Sequence, residues 1–449
     1  MKRMIQITLA ATLFLLSASF IFAAEVSVII DGVQVEFTQE SGSPFIDENN
    51  RTQVPFRKTL EAFGATVSWD LENRVAIAEK DGIMASVPIG ASHIYKNDMR
   101  IINDTTSVIV NGRTYLPIRI VLEVFGADVS WDGVNRSIKI VSEGTGRNIG
   151  FIIIREQGYS TALTELNLFS MELCDEDIVP LRYMTNLKSL RLDWNRIGDL
   201  SSLSELTNLQ RLDLGVNKIS DLSPLSELTN LSELFLPINE ISDLSPLSNL
   251  TNLSTLSLDS NEISDLSPLS KLTNLEGLYL GVNEISDLSP LSGLTNLKVL
   301  YLGWNQICNL SSLSELHDLN RLNLGNHPVV AIWNERLLGL DGNQISDLSP
   351  LSTLTNLTVL NLENNQIDDL SSLSNLTNLG RLDLGWNEIS DLSQLSGLTN
   401  LQVLDLEDNQ IDDLSPLAGL TMLNVLRLRD NPITDWSPVE HIHDVQGRP

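Results

Sequence analysis

The 449-residue chain carries a formal charge of -29, two cysteines and an apolar fraction of 42%, so it holds enough apolar material for a sizeable core and is not a disordered polyanion. The acidity argues against a nucleic-acid partner, because no basic stripe is present to displace phosphate counterions. Two or three domains are expected for this length.

The chain starts Met1-Lys2-Arg3, continues with an apolar run from Met4 to Phe22, and reaches Ala23-Ala24. This charged, greasy and small-residue order reads as a signal peptide over 1–24, with an uncleaved amino-terminal anchor as the alternative. No other segment is apolar enough to span a membrane. The reading implies a secreted or cell-surface protein, and its lack of a disulfide scaffold fits a bacterial exported protein. By the repeat count below, Cys174 and Cys308 stand six turns apart. At about 4.8 Å per stacked strand that is roughly 30 Å, far beyond the ~7 Å that a disulfide can bridge. Both fall where other turns carry Ser and read as tolerated small residues.

Residues 25–142 hold a duplication, with copies at about 25–80 and 81–142. "RTQVPFRKTLEAFGATVSWDLENRVAIA" from Arg51 matches "RTYLPIRIVLEVFGADVSWDGVNRSIKI" from Arg113, at an offset of 62. Each copy predicts a strand up to a proline, a helix of two turns starting at Pro55 or Pro117, a glycine stop at Gly64 or Gly126, and a hairpin. Asp31-Gly32 and Asn111-Gly112 are further hairpin turns. These motifs resemble the small domain at the amino terminus of some copper amine oxidases, which implies a stalk or surface-association module. The resemblance does not extend to chemistry. There is no tyrosine in an Asn-Tyr-Asp/Glu context, and the five histidines are scattered apart from His441 and His443.

Residues 143–160 read as a linker and cap. "GTGRNIG" lies there, without the third glycine of a dinucleotide loop. From 161 to 435 the period is 22, as in "LTNLSELFLPINEISDLSPLSN" from Leu228. Thirteen turns are counted from Leu166 to Leu426, with Leu338 as the ninth, and 436–449 reads as the terminal cap and tail. Leu-x-x-Leu-x-Leu-x-x-Asn-x-Ile is the leucine-rich repeat signature, and the Ser-Asp-Leu-Ser-Pro-Leu continuation resembles the internalin type of bacterial surface protein. The resemblance implies an α/β-type solenoid, with a parallel sheet on the concave face and short 3-10 or helical turns on the convex face, preceded by the small duplicated α+β stalk domain.

One turn accounts for most recurring residues. The leucines point inward. Asn195, Asn217, Asn239, Asn261, Asn283, Asn305, Asn343, Asn365, Asn387, Asn409 and Asn431 stand at the bend, where an amide can satisfy backbone groups that the turning chain leaves unpaired. The acid four residues later, as in Asp221 or Asp243, reads as a cap for the next short turn. We prefer this to a calcium site, because no turn supplies clustered oxygens.

Function is expected at the positions that vary between turns. On the sheet face Phe235, Tyr279, Tyr301 and Trp304 form an aromatic group, with Trp194 and Trp386 further away, and Glu363, Asp383, Asp405, Glu407 and Asp408 form an acidic one with Arg381 interleaved. Aromatic residues in such a position are the composition of binding hot spots. A protein or other cell-surface macromolecule is the expected partner, and a basic one suits the acidic group. No catalytic signature such as His-Glu-x-x-His or Gly-x-Ser-x-Gly is present, so no enzyme, cofactor or metal is expected. The leading expectation is an exported, non-catalytic, monomeric recognition protein. The alternative is a structural cell-envelope protein with the solenoid as spacer. No Leu-Pro-x-Thr-Gly sorting signal occurs, so retention at the surface is expected to be non-covalent.

One stretch departs from the period. After His327 the next Leu-x-Leu, Leu338-x-Leu340, arrives after 11 residues instead of 17. This predicts a shortened turn over 327–343, either a natural kink or a short frame-shifted coding stretch.

Overall fold

The computed structural model describes residues 26–48, 51–103, 105–142, 150–325 and 342–448. The segment expected to be a signal peptide lies outside them, as do most residues of the irregular stretch. The chain divides into two compact units, the first ending at Gly150 and the second starting at Phe151.

The first unit is a small α+β fold built by exchange between the two copies. Strands β1 (Ser27–Ile30) and β2 (Val33–Gln34) form a hairpin around Asp31-Gly32, both at positive φ. Strands β3 (Phe45–Ile46) and β4 (Thr52–Pro55) lead into helix α1 (Phe56–Ala62). Five strands then make a meander: β5 (Thr66–Asp70), β6 (Val75–Lys80), β7 (Ile83–Pro88), β8 (His93–Lys96) and β9 (Met99–Ile102). The second copy supplies β10 (Val108–Val110), β11 (Arg113–Pro117), helix α2 (Ile118–Val124), β12 (Asp128–Asp132) and β13 (Ser137–Val141).

Each helix is preceded by its proline and ends before a glycine at positive φ, Gly64 or Gly126, as the missing Cβ allows. Strands β4 and β11 pair antiparallel, with Val54 opposite Leu116. These two residues are equivalent in the duplication, so an internal twofold passes between them. The first copy's β1 lies parallel to the second copy's β13. The two copies are therefore interlocked.

The second unit opens with a hairpin, β14 (Phe151–Ile154) and β15 (Gln157–Ser160). Arg155 at its tip donates to the carbonyls of Met171 and Glu172 and pairs with Asp177 at 3.1 Å, tying the hairpin to the first turn. Thirteen parallel strands follow in one sheet, from β16 (Glu165–Asn167) to β28 (Asp444–Gln446). The inward leucines of successive turns, such as Leu234, Leu256 and Leu278, are in register and fully buried. Stacking them in one apolar column is what a single repeat cannot achieve alone. Short 3-10 turns such as Ser223–Leu225 form the back.

The irregular turn differs from the expectation. Strand β23 (Arg321–Asn323) pairs directly with β24 (Val359–Asn361), Leu322 opposite Leu360, so no rung stands between them. Leu338 itself lies outside the described residues. The thirteenth rung is instead Val445, paired with Leu426, within the segment that reads in the sequence as terminal cap and tail. Leu322 and Leu360 are 38 residues apart, against a period of 22. The turn is therefore 16 residues too long, the length of 326–341, and not six too short. Its back is intact: Ser349–Leu351 is a 3-10 turn with Leu351 buried. The "LGLDGN" pattern deceived because it spells the rung motif at the correct local spacing.

Candidate functional site

The bend asparagines hold the frame on which the site sits. Asn261 Oδ1 accepts from Ile241 N–H at 3.1 Å, while Nδ2 donates to the Leu236 and Leu258 carbonyls at 3.0 and 2.9 Å. The same pattern recurs from Asn195 to Asn431. Asn343 keeps it across the long turn, accepting from Ile307 N–H and donating to the Leu302 and Leu324 carbonyls.

A second ladder was not recognised in the sequence. Asn230, Asn252 and Asn274 each donate to the carbonyl of the threonine 23 residues earlier. In the sequence these asparagines belong to the recurring "TNL". On the back, Asp221 and Asp243 accept from the N–H of Ser223 and Ser245 at 2.8 Å. These serine contacts hold both carboxyls below the usual range. Both cysteines are free.

On the sheet face Tyr279 and Tyr301 lie opposite each other in register, with ring centroids 5.1 Å apart at 74°. Such edge-to-face pairs contribute about 0.5 to 1.5 kcal/mol beyond their burial. Burial raises the Tyr279 hydroxyl above its usual range. Phe235 stands two turns earlier, and the Arg211 guanidinium lies 4.5 Å over its ring. Arg211 also pairs with Glu233. Trp304 sits in the turn of Tyr301 with φ at +54°, and Trp386 is further along at +53°, 43% exposed.

The position of those tryptophans is a feature that column-by-column reading of the sequence could have found. The residue before each bend asparagine is left-handed in nearly every described turn. Asn364, Asp408 and Asp430 suit that conformation, whereas Trp194, Val216, Ile238, Val282 and Trp304 do not. At roughly 1 to 2 kcal/mol per residue, the turns with Trp194, Val216, Ile238, Val282, Trp304 and Trp386 carry backbone strain at an apolar residue.

The acidic group differs from its sequence reading. Asp383 is 5% exposed and accepts from Arg381 Nε at 2.8 Å. Asp405 is 8% exposed and accepts from Arg427 Nη1 at 2.8 Å, and Glu407 stands 3.7 Å from Arg429. Burial raises the Asp383 carboxyl. These acids are neutralised within the chain, which removes the charge argument for a basic partner at this end. Arg381 stands two residues before Asp383 and was visible in the sequence, whereas Asp405 and Arg427 are vertical neighbours 22 residues apart, and their pairing was not. Among the described residues, no group of three or more His, Cys, Asp or Glu side chains is placed to hold a metal.

A family model for leucine-rich repeats (2 copies) matches residues 185–227, 229–271, 273–316, 336–375 and 377–419. Its fourth match starts before Leu338. The copper amine oxidase N-terminal domain model matches residues 29–140. Among solved structures, an internalin (inlF) from Listeria monocytogenes is 37% identical, covering 66% of this chain and 91% of that one, with a TM-score of 0.55. This chain belongs to the internalin-type leucine-rich repeat family. A second internalin from the same organism, inlC2, is 36% identical over 45% of this chain and 83% of its own, with a TM-score of 0.40. The plant peptide hormone receptor RGFR1, solved in complex with RGF2, shares the fold at 21% identity and a TM-score of 0.51, covering 64% of this chain and 48% of the receptor. No curated protein sequence matches. In this internalin-type chain the copper amine oxidase N-terminal domain precedes the repeats, and no helix among the described residues is long and apolar enough to cross a membrane.

Proposed function

We propose that this is an exported bacterial recognition protein without catalytic activity, which binds another protein through the sheet face of its repeats between Phe235 and Trp304. The observation that carries the reading is the Tyr279–Tyr301 pair, in the turns of the strained Val282 and Trp304. The framework of leucines and asparagines needs neither of them. Aromatic side chains on a rigid sheet are well suited to act as anchors, since few rotamers are lost on contact. The test is affinity capture with the immobilised chain. The triple variant Tyr279→Ala, Tyr301→Ala, Trp304→Ala should lose the proteins that the unaltered chain retains, and full retention would reject the reading.

A second reading, a surface-association role for the small unit with the solenoid as spacer, is favoured by its exposed hairpin tips. Leu71 is 81% exposed, Val134 94% and Trp131 42%. Binding of the chain to isolated cell walls, lost on Trp131→Ala with Val134→Ser, would support it. Wall binding unchanged by that double variant, or absent altogether, would reject it.

A further inference from the structure

The carboxylates of Asp193, Glu233, Glu276, Asp383, Asp405 and Glu407 on the sheet face each meet an arginine or lysine of their own chain. Asp259 does not. It is 8% exposed, and its contacts are the Ser257 hydroxyl at 3.0 Å and the Gly281 N–H at 2.9 Å, both neutral donors. Beside it the Ser260 hydroxyl is 4% exposed and has no hydrogen-bond partner. A carboxylate taken out of water without a counter-charge is costly, and burial accordingly pushes its pKa up to about 6.

The surroundings of Asp259 explain what such a group could receive. In register, Phe235 is followed by Ser257 and then by Tyr279. The small serine leaves a notch between two ring-bearing strands, which stand about 10 Å apart at two strand spacings. One cation fits between two rings at that separation, since cation–π contacts reach to about 6 Å. Arg211, which covers Phe235, comes from the turn before it, whereas Ser257 belongs to the turn after. Gly281 packs close against the carboxylate, since a Cβ there would come within 3.1 Å of Asp259 Oδ1.

We propose that the notch at Ser257, walled by Phe235 and Tyr279 and floored by Asp259, receives one arginine or lysine side chain of the protein partner. The proposal rests on the sheet face being the contact surface. Charge complementarity selects the occupant: a neutral or acidic side chain would leave the buried carboxylate uncompensated, whereas a cation restores the pairing that the neighbouring acids have.

The probe is N-acetyl-argininamide, titrated into the full chain while the labelled tyrosine ring resonances are followed, with neutral N-acetyl-citrullinamide as the shape-matched control. The arginine probe should shift Tyr279 saturably and bind at least about tenfold more tightly than the citrulline probe, the discrimination expected of a charge-assisted contact. Asp259→Asn should abolish that preference. Because the probe contrast needs no variant, the test survives if Asp259→Asn fails to fold. Equal binding of the two probes, or no response to the arginine probe, overturns the proposal. Partner capture separates the two readings. Capture lost in the Tyr279, Tyr301, Trp304 triple variant but unchanged in Asp259→Asn leaves the sheet-face reading standing and rejects the cation notch. Capture unchanged in both rejects both.

Discussion

The side-chain amide of Asn343 donates to the carbonyl of Leu324 at 2.8 Å, although 19 residues separate them in sequence. In an ordinary turn the same bond spans three residues, as between Asn305 and Leu302. The excess is 16, and the bonds from Asn343 to Ile307 and Leu302 exceed the ordinary separations of 20 and 25 by the same amount. The rung at Leu322 is therefore closed by residues on both sides of 326–341.

It follows that deleting 326–341, which joins Gly325 to Gly342, should give a folded chain with a regular 22-residue turn. Removing the loop-closure cost should raise stability by on the order of 1 to 2 kcal/mol. Thermal melting followed by circular dichroism checks this. Loss of the folded signal would show that the rung needs the deleted residues.

The asparagine ladder should be most sensitive in mid-solenoid. Asn261 is 6% exposed, and its replacement by alanine strands one N–H and two carbonyls. A loss of about 2 to 5 kcal/mol is expected. Asn431, half-buried in the last turn, should cost less. Chemical denaturation of the two variants tests the ordering.

The duplication supplies an internal control for pH dependence. Glu61 in α1 is exposed and pairs with Arg57 at 3.3 Å, whereas its equivalent in α2, Glu123, is buried, 4.0 Å from Arg119, with Oε2 lacking a partner among the described residues. Burial pushes the Glu123 carboxyl up to about 8, from an ordinary value of 4.5. Between those values the folded unit holds a proton that the unfolded chain releases, so stability falls as pH rises through that window and levels off above it. Glu123→Gln should remove this slope and stabilise the unit at high pH, by on the order of a few kcal/mol. Glu61→Gln should leave the slope in place. Melting temperatures across the window are the readout.

The thiols should differ in reactivity. Cys308 is exposed, whereas Cys174 is half-buried and its thiol is raised by hydrogen bonds with Glu176 and Asp177. A thiol reagent at neutral pH should modify Cys308 first, with Cys174 slower because less of it is thiolate. Peptide mapping after brief labelling would show two equal rates if the environment of Cys174 has no effect.

The repeat made the frame legible, because each turn restates which positions point inward and which asparagine closes the bend. Two things were not legible. The choice between Leu322 and Leu338 as a rung depends on which strand Leu360 pairs with, and both candidates spell an acceptable motif. The charge state of the sheet face depends in part on neighbours one turn away, so Asp405 reads as an unpaired acid until Arg427 is placed beside it. The isolated Asp259 shows the same effect with the opposite outcome. Nothing in "LSLDSNEI" marks its acid as different, and only the stacked columns reveal that no cation among the described residues reaches it.

The central claim is that the protein meets its partner on the sheet face between Phe235 and Trp304. Oxidative footprinting of the complex with a captured partner tests it directly. The claim predicts protection of Phe235, Tyr279, Tyr301 and Trp304, with the back of the solenoid and the small unit unchanged. Protection confined to the back, or to the hairpin tips at Leu71 and Trp131, would contradict it.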